Sequence, residues 1–168
     1  VWIGTDGQGV YLYSNPLYSI KSMVLSNYTE KIERPVRAIY LDDERTFWVG
    51  TKGNGILKIY DYEFDKNISD CRAEVLTTSN SALSSNAVYC FAKSHRNLLW
   101  IGDEEGLTYY SYREKRIKSI PIRIGNEDFK YIHDIYETAD SELWLASVGM
   151  GVVLSLIHIS EPTRQAEI

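Results

Sequence analysis

The chain has 168 residues, of which 44% are apolar, and its 18 Lys and Arg against 23 Asp and Glu give a formal net charge of −5. This composition is typical of a globular chain of about one domain and excludes intrinsic disorder. The negative charge, without a local Lys/Arg cluster, argues against nucleic acid as a partner of this segment. No uncharged apolar run approaches the roughly 18 to 20 residues that cross a bilayer, so no membrane span is predicted here.

The aromatic, glycine and cysteine content points to a β protein without a thiolate site. Thirteen Tyr and 4 Trp stand against 4 Phe, and there are 11 Gly, a balance typical of strands joined by tight turns. Cys71 and Cys90 are too few for a four-thiolate metal site and lack C-x-x-C spacing. Cys90 lies in an apolar run, so we expect a small core residue rather than a disulfide with Cys71. The redox state of both cysteines stays open.

Four tryptophans mark an internal repeat, which has to be recognised before the fold can be predicted. Trp2, Trp48, Trp100 and Trp144 follow one another at intervals of 46, 52 and 44 residues. The first three are each followed two positions later by a glycine, namely Gly4, Gly50 and Gly102. Apolar residues recur twelve and nine positions before the last three tryptophans, at Val36, Val88 and Ile132 and at Ile39, Phe91 and Ile135. Agreement at several fixed offsets indicates a structural repeat.

Each period contains four short apolar or alternating runs separated by turn residues, which is the pattern of strands. The predicted strands are 36–41, 47–51, 55–60 and 74–78 in the second period, and 88–93, 98–103, 107–112 and 117–122 in the third. No capped, helix-periodic stretch of ten or more residues occurs before residue 154. Four antiparallel strands in a unit of about 45 residues are typical of a β-propeller blade. The sequence therefore predicts an all-β partial β-propeller of about three four-stranded antiparallel blades.

The recurring tryptophans have a structural explanation. A blade buries both faces against its neighbours, and a large aromatic at a fixed strand position fills the wedge between two sheets. We therefore expect Trp48 and Trp100 to be buried at equivalent positions, as framework residues rather than ligand-stacking ones. The segment Gly53-Asn54-Gly55 supplies residues that can take the positive φ of a tight hairpin turn.

The two ends of the chain suggest a fragment with a foreign tail. The chain begins at Val1, inside a repeat, with neither an initiator Met nor a signal peptide. Three full periods are too few to close a ring of about four to eight blades. Residues 154–164, LSLIHISEPTR, resemble the conceptual translation of a sequencing-library adaptor, and 165–168 fit an index read. We therefore assign 1–153 to the partial propeller and 154–168 to a non-native tail, which if native would be an amphiphilic segment without evident chemistry.

The repeat unit resembles a known family. It reads Val-x-x-Ile, then a polar turn, then Leu/Phe-Trp-Ile/Val-Gly-Thr-x-x-Gly-Gly/Asn-Gly and Leu-x-x-Tyr, which resembles the two-component regulator propeller repeat. The third unit has the fuller form, with Leu83-Ser84-Ser85-Asn86 ahead of Val88. Departures are Asp103 in place of Thr, and Ala146-Ser147 in place of Gly-Thr. The resemblance covers nearly all of 1–153.

The resemblance implies a function for the parent protein. It implies the periplasmic sensor region of a hybrid two-component sensor histidine kinase anchored in the inner membrane, which detects glycan-derived oligosaccharides and signals by phosphorelay. The implied partners are an oligosaccharide, the missing blades and a downstream kinase, and a homodimeric parent is left open. No enzymatic activity, cofactor or catalytic residue is expected in this segment. Two alternatives from other classes remain: a fragment of a propeller enzyme, such as a lyase or glycosidase, and a protein-binding scaffold.

Other sequence features favour structural interpretations. Residues 50–55 lack the order of a phosphate-binding P-loop and lead into a strand, so they are predicted to form a hairpin turn. His95 and His133 have no metal-ligand spacing, so no metal site is predicted. Asp103-Glu104-Glu105 lacks the spaced ligands of a calcium loop and is expected to be a solvated hairpin tip.

The candidate ligand-binding residues are those that diverge between repeats at an otherwise regular position. Eleven residues before the last three tryptophans stand Arg37, Tyr89 and His133, each preceded by the recurring Val or Ile. If their strand is the innermost one, they would line one sector of the propeller mouth. They would then offer a guanidinium, a stacking phenol and an imidazole to a sugar or a carboxylate. The alternative is that all three are simply solvated or interblade residues.

Overall fold

The computed structural model describes residues 1–5, 9–14, 19–23, 34–63 and 70–155. The strands of the first two repeats are β1 (Trp2–Thr5), β2 (Gly9–Ser14), β3 (Ser19–Met23), β4 (Val36–Leu41), β5 (Phe47–Thr51), β6 (Ile56–Ile59) and β7 (Ala73–Leu76). Those that follow are β8 (Val88–Lys93), β9 (Leu98–Asp103), β10 (Leu107–Ser111), β11 (Arg116–Ile120), β12 (Arg123–Ile124), β13 (Glu127–Asp128), β14 (Ile132–Glu137), β15 (Leu143–Ser147) and β16 (Gly151–Ser155). Across these residues no helix of the length and apolarity needed to cross a membrane is present.

The strands form four consecutive antiparallel meanders. The second sheet, β4-β5-β6-β7, and the third, β8-β9-β10-β11, have four strands each, while the first, β1-β2-β3, and the fourth, β14-β15-β16, have three. The predicted bounds of β4, β5, β8 and β9 agree with the structure residue for residue. The prediction of an all-β partial propeller is confirmed. Of the predicted non-native tail, 154 and 155 continue β16 and 156–168 lie outside the described residues, so its origin stays a prediction.

One hairpin between the third and fourth sheets was missed. The short strands β12 and β13 pair Arg123 with Asp128 and Ile124 with Glu127 around the dipeptide Gly125-Asn126. Gly125 has φ of 61°, which a two-residue hairpin turn requires. Gly-Asn is itself a hairpin signal, but the flanking strands are too short to show periodicity.

The first strands of the second, third and fourth repeats, β4, β8 and β14, lie side by side at one edge of their sheets. In the second and third sheets, β4 and β8 each occupy one edge, with β7 and β11 at the opposite edge. The strand β8 packs against both β4 and β14, whereas the outer strands make no comparable contacts across sheets within the described chain. Blades converge toward the axis of a propeller, so β4, β8 and β14 are its innermost strands.

The tryptophans pack between sheets as expected. Trp48 is 0% and Trp100 3% exposed. Trp48 lies in a cluster with Leu99 and Ile101 of the third sheet, and Trp100 lies in a cluster with Leu145 of the fourth. The prediction that both tryptophans are buried at equivalent positions between sheets is therefore confirmed.

The glycine two positions after each of these tryptophans is required by the close approach of the next sheet. A Cβ added at Gly102 would lie 2.6 Å from the carbonyl oxygen of Ile132 and 2.5 Å from Sγ of Cys90. One added at Gly50 would lie 2.8 Å from Cγ1 of Val88. Val88 and Ile132 begin the innermost strands of the following sheets, so glycine at this position sets the distance between neighbouring blades.

The expectation that Asp103 belongs to a solvated hairpin tip is wrong. Its side chain is completely buried at the end of β9. It accepts hydrogen bonds from the hydroxyls of Ser84 and Thr108 at 2.5 and 2.9 Å, and from the backbone N–H groups of Glu105 and Gly106 at 2.9 and 3.1 Å. Burial raises the pKa of Asp103, and the hydrogen bonds lower it by a smaller amount. Four donors allow a carboxylate to replace the threonine of the repeat.

The two cysteines are not joined by a disulfide. Cys90 lies beside the core formed by the third and fourth sheets, and its Sγ lies 3.7 Å from the carbonyl oxygen of Ile132. Burial raises the pKa of Cys90 to about 12, so its thiol stays protonated and unreactive at neutral pH. The prediction that Cys90 is not in a disulfide is confirmed, and its side chain is half-buried against this core.

Candidate ligand-binding site on the innermost strands

Three β-bulges determine the positions of the predicted ligand-binding residues. The register of β4 against β5 shifts between Val36 and Ala38, so Arg37 is the extra residue. The same shift makes Tyr89 the extra residue of β8 and His133 the extra residue of β14. A bulge leaves its extra residue out of the ladder and redirects its side chain, and bulges are frequent beside functional sites.

The three bulge residues form one continuous column across three sheets. Cζ of Arg37 lies 4.8 Å from the centroid of the Tyr89 ring. The Tyr89 and His133 rings are stacked, with centroids 4.1 Å apart and an angle of 20° between their planes. The structure thus brings together all three residues that the repeat offset singled out.

The column differs from the expected site in one respect. The sequence predicts that the Tyr89 ring stacks on a ligand, whereas in the structure it stacks on Arg37 and His133. Arg37 and His133 are exposed and Tyr89 is half-buried. Because Tyr89 comes from the sheet between those of its two partners, its ring packs within the column and does not offer an open stacking face. The groups left for a ligand are the guanidinium of Arg37, the imidazole nitrogens of His133 and the phenol hydroxyl of Tyr89.

Arg37 carries the positive charge of the column. Desolvation lowers the pKa of His133, and the positive charge of Arg37 lowers it further. His133 is therefore neutral at neutral pH, with one nitrogen donating and the other accepting hydrogen bonds. One cation beside a neutral donor–acceptor ring and a hydroxyl is suited to binding the hydroxyl and carboxylate groups of a small polar ligand.

The sequence alone did not identify Lys58, a buried lysine outside the column. Lys58 lies within β6, whose four residues Ile56–Ile59 are all buried. The only sequence signal was a lysine in an otherwise apolar run, which is also how an outward-facing lysine of a strand looks. No cluster of three or more His, Cys, Asp or Glu suited to a metal ion occurs among the residues that the structure describes.

Comparison with known proteins identifies similar folds but no sequence family for this chain. No protein-family model matches the chain. Among curated proteins, translation initiation factor 6 of Saccharolobus solfataricus is 31% identical over 140 residues. That match covers 76% of this chain, and the chain spans 57% of the length of the factor.

Solved structures with the same fold include extracellular domains of hybrid two-component systems. One such domain of B. thetaiotaomicron has a TM-score of 0.67 and 22% identity, over 94% of this chain and 20% of that chain. A second hybrid system of the same organism has a TM-score of 0.64 and 15% identity, over 91% of this chain and 26% of the other. PorZ is a surface component of the type-IX secretion system of Porphyromonas gingivalis. It has a TM-score of 0.63 and 15% identity, over 91% of this chain and 24% of PorZ. The chain therefore has the fold of a part of these extracellular domains, as the resemblance predicted.

Proposed function

We propose that this chain is part of the periplasmic sensing region of a hybrid two-component regulator anchored in the inner membrane. Arg37, Tyr89 and His133 form part of its binding surface for glycan-derived oligosaccharides. The observation that carries the proposal is the continuous column that these bulge residues build on three adjacent innermost strands. The fold shared with extracellular domains of hybrid two-component systems supports the sensor assignment. This segment binds and does not catalyse, and the signal passes to a kinase elsewhere in the parent protein.

The chemistry of the column supports a sugar or sugar acid as the ligand. Sugars are recognised by several hydrogen bonds from amide, charged and hydroxyl groups together with packing on aromatic edges. Arg37 supplies a fork of donors that matches a carboxylate or a pair of hydroxyls. Because the column holds the Tyr89 ring in place, little side-chain entropy is lost when a ligand binds its hydroxyl.

Calorimetric titration of the parent extracellular region with an oligosaccharide panel tests this proposal. Tyr89→Phe keeps the stacked ring and removes only the hydroxyl, so it should weaken binding about tenfold, as loss of one hydrogen bond does. Arg37→Ala should weaken it further. Tyr136→Phe, which removes the same hydroxyl from a tyrosine outside the column, is the matched control. Unchanged affinity in folded Tyr89→Phe and Arg37→Ala variants would contradict the proposal.

A propeller enzyme is the second candidate, because the same three groups could act in proton transfer. His133 is neutral near pH 7 and stacks on a tyrosine, a combination that general acid–base catalysis can use. The two candidates separate in one assay: the parent region is incubated with each oligosaccharide and new reducing ends are measured. Product formation that His133→Gln abolishes would favour the enzyme, whereas binding without turnover supports the sensor.

The archaeal initiation factor suggests a third role, in translation. Its sequence identity to this chain is the observation in favour of it. The net charge of −5 does not suit contacts to RNA, and several surface cations, among them Lys93, Lys115 and Arg123, are paired with carboxylates. We therefore rank the sensor region above this role.

A further inference from the structure

A cleft of about 700 Å³ opens between the second and third sheets, away from the column on the innermost strands. Its lining comes from β6 and β7 on one side, from β10 and β11 on the other, and from the turn that contains Glu44. This volume falls within the range of about 300 to 1,000 Å³ that small-molecule sites occupy. Nothing in the proposed sensing role uses this cleft.

The floor of the cleft is a buried lysine. Lys58 is 5% exposed, and its Nζ donates a hydrogen bond to the hydroxyl of Tyr110 at 2.9 Å. Nζ also lies 4.7 Å from the ring centroid of Trp48, 4.6 Å from that of Tyr60 and 4.2 Å from that of Tyr110. Three aromatic rings and one hydroxyl partly replace the hydration of the ammonium group. Within the described chain no carboxylate lies at ion-pair distance from it, although a buried charge is normally paired.

A second cation stands at the rim over the same ring. Cζ of Arg72 lies 4.2 Å from the centroid of Tyr60, and Arg72 is exposed and lines the cleft. Tyr60 donates its hydroxyl to Glu74 at 2.5 Å, which directs that carboxylate to the phenol. Lys58 and Arg72 thus contact the same aromatic ring, and neither forms an ion pair with a carboxylate of the described residues.

Other charged groups of the cleft are already in ion pairs. Glu44 is paired with Lys115 at 2.8 Å, and Arg116 is paired with Glu114 at 2.6 Å. The one other lining carboxylate, Asp61, is exposed. Burial lowers the pKa of Lys58, and the field of Glu74 opposes this shift. An anion bound between Lys58 and Arg72 would give both cations the direct ion pair that neither has among the described residues.

We propose that the cleft between the second and third sheets is a binding site for a small organic anion, held between Lys58 at its floor and Arg72 at its rim. The anionic group, a carboxylate or a sulfate, lies against the two cations. The body of the ligand packs on Leu76 and Ile117, which line the same cleft. The site is separate from the column of Arg37, Tyr89 and His133 and does not depend on its function.

Calorimetry on the intact chain at low ionic strength tests the site with three matched sugars: glucuronate, glucose 6-sulfate and neutral glucose. At least one of the two anionic sugars should bind, and glucose should bind at least tenfold more weakly. Comparing glucuronate with glucose 6-sulfate distinguishes a carboxylate site from a sulfate site. Arg72→Gln should weaken anion binding about tenfold, the effect of losing one charge-assisted hydrogen bond. Arg123→Gln, which removes the same charge on a distant hairpin, should leave binding unchanged.

Lys58→Met should abolish anion binding because it removes the ammonium group and keeps most of the length of the side chain. If that variant does not fold, the Arg72→Gln result and the shift of the Trp48 indole NMR signal on titration decide the matter. Tyr89→Phe should leave the cleft unaffected, which separates failure here from failure of the proposed sensing role. The proposal is overturned if neither anionic sugar binds, if glucose binds equally well, or if Arg72→Gln changes nothing.

Discussion

At the scale of single residues, Asp103 shows how a repeat position changes its chemistry without changing the fold. In the second repeat the corresponding Thr51 donates its hydroxyl to the carbonyl of Gly55 at 2.8 Å, within its own hairpin. Asp103 instead accepts four hydrogen bonds, one of them from Ser84, which lies 19 residues earlier. The substitution therefore ties the loop before β8 to the hairpin after β9.

This arrangement predicts a pH-dependent effect on stability. The folded state raises the pKa of Asp103 above 3.8, so the folded protein binds a proton at this residue more tightly than the unfolded chain. The contribution of Asp103 to stability is then present below the unfolded pKa and falls as pH rises through the folded pKa. Asp103→Asn keeps an acceptor for the two N–H groups and no longer titrates.

We expect the melting temperature of Asp103→Asn, relative to the parent, to be higher at pH 7 than at pH 4. Thermal unfolding at both pH values, followed by circular dichroism, measures this difference. Asp140→Asn, at an exposed carboxylate, serves as the control and should show no comparable change with pH. A constant difference for Asp103→Asn at the two pH values would contradict the interpretation.

At the scale of strands, the contact between β9 and β14 decides how closely the third and fourth sheets pack. The carbonyl oxygen of Ile132 lies where a Cβ on Gly102 would have to be. Gly102→Ala should lower the free energy of unfolding by about 1 to 3 kcal/mol, as overpacking of a tight contact does. Urea unfolding followed by tryptophan fluorescence measures the loss.

Gly4→Ala is the matched control for that substitution. A Cβ at Gly4 would lie 3.5 Å from Cγ1 of Val36, an ordinary contact distance. The alanine there should be neutral or slightly stabilising, because it reduces the freedom of the unfolded chain. Equal losses for the two variants would show that the spacing of the sheets does not explain the glycine.

At the scale of the whole molecule, the fourth sheet leaves one face open. The row Tyr136–Trp144–Leu154 runs across its three strands and is exposed, with Trp144 at 40%. The equivalent row of the third sheet, Ala92–Trp100–Tyr109, is packed against the fourth. The described residues include no sheet beyond the fourth, so this apolar row faces solvent.

The open face predicts self-association of the isolated chain. Contiguous apolar surface of this kind is normally covered in a stable protein. We expect sedimentation velocity to show an average mass that rises with concentration. Val152→Glu, at a residue 65% exposed on the same face, should shift the chain toward monomer. Val148→Glu in the adjoining turn is the matched control, and an equal effect of both variants would argue against this face.

The sequence by itself determined the repeat, the strands and the equivalence of the bulge residues. These follow from local chemistry: alternation of apolar residues specifies strands, and a tryptophan recurs because every interface between sheets has the same wedge to fill. Arg37, Tyr89 and His133 could be aligned because they share one offset from that tryptophan. Their stacking could not be predicted, because it depends on the angle and distance between successive sheets.

Only the tertiary structure decided which polar groups are buried and what they contact. Asp42 stands in a turn that looks solvated in the sequence, yet it accepts hydrogen bonds from the indole of Trp48 at 2.9 Å and from the hydroxyl of Tyr112 at 3.0 Å. Lys58 contacts Tyr110, 52 residues away, across two sheets. The burial of a polar side chain depends on what the neighbouring sheet places above it, and that information is absent from the local pattern of the chain. For the same reason, the sequence alone could not predict the contacts within the column or the presence of the cleft.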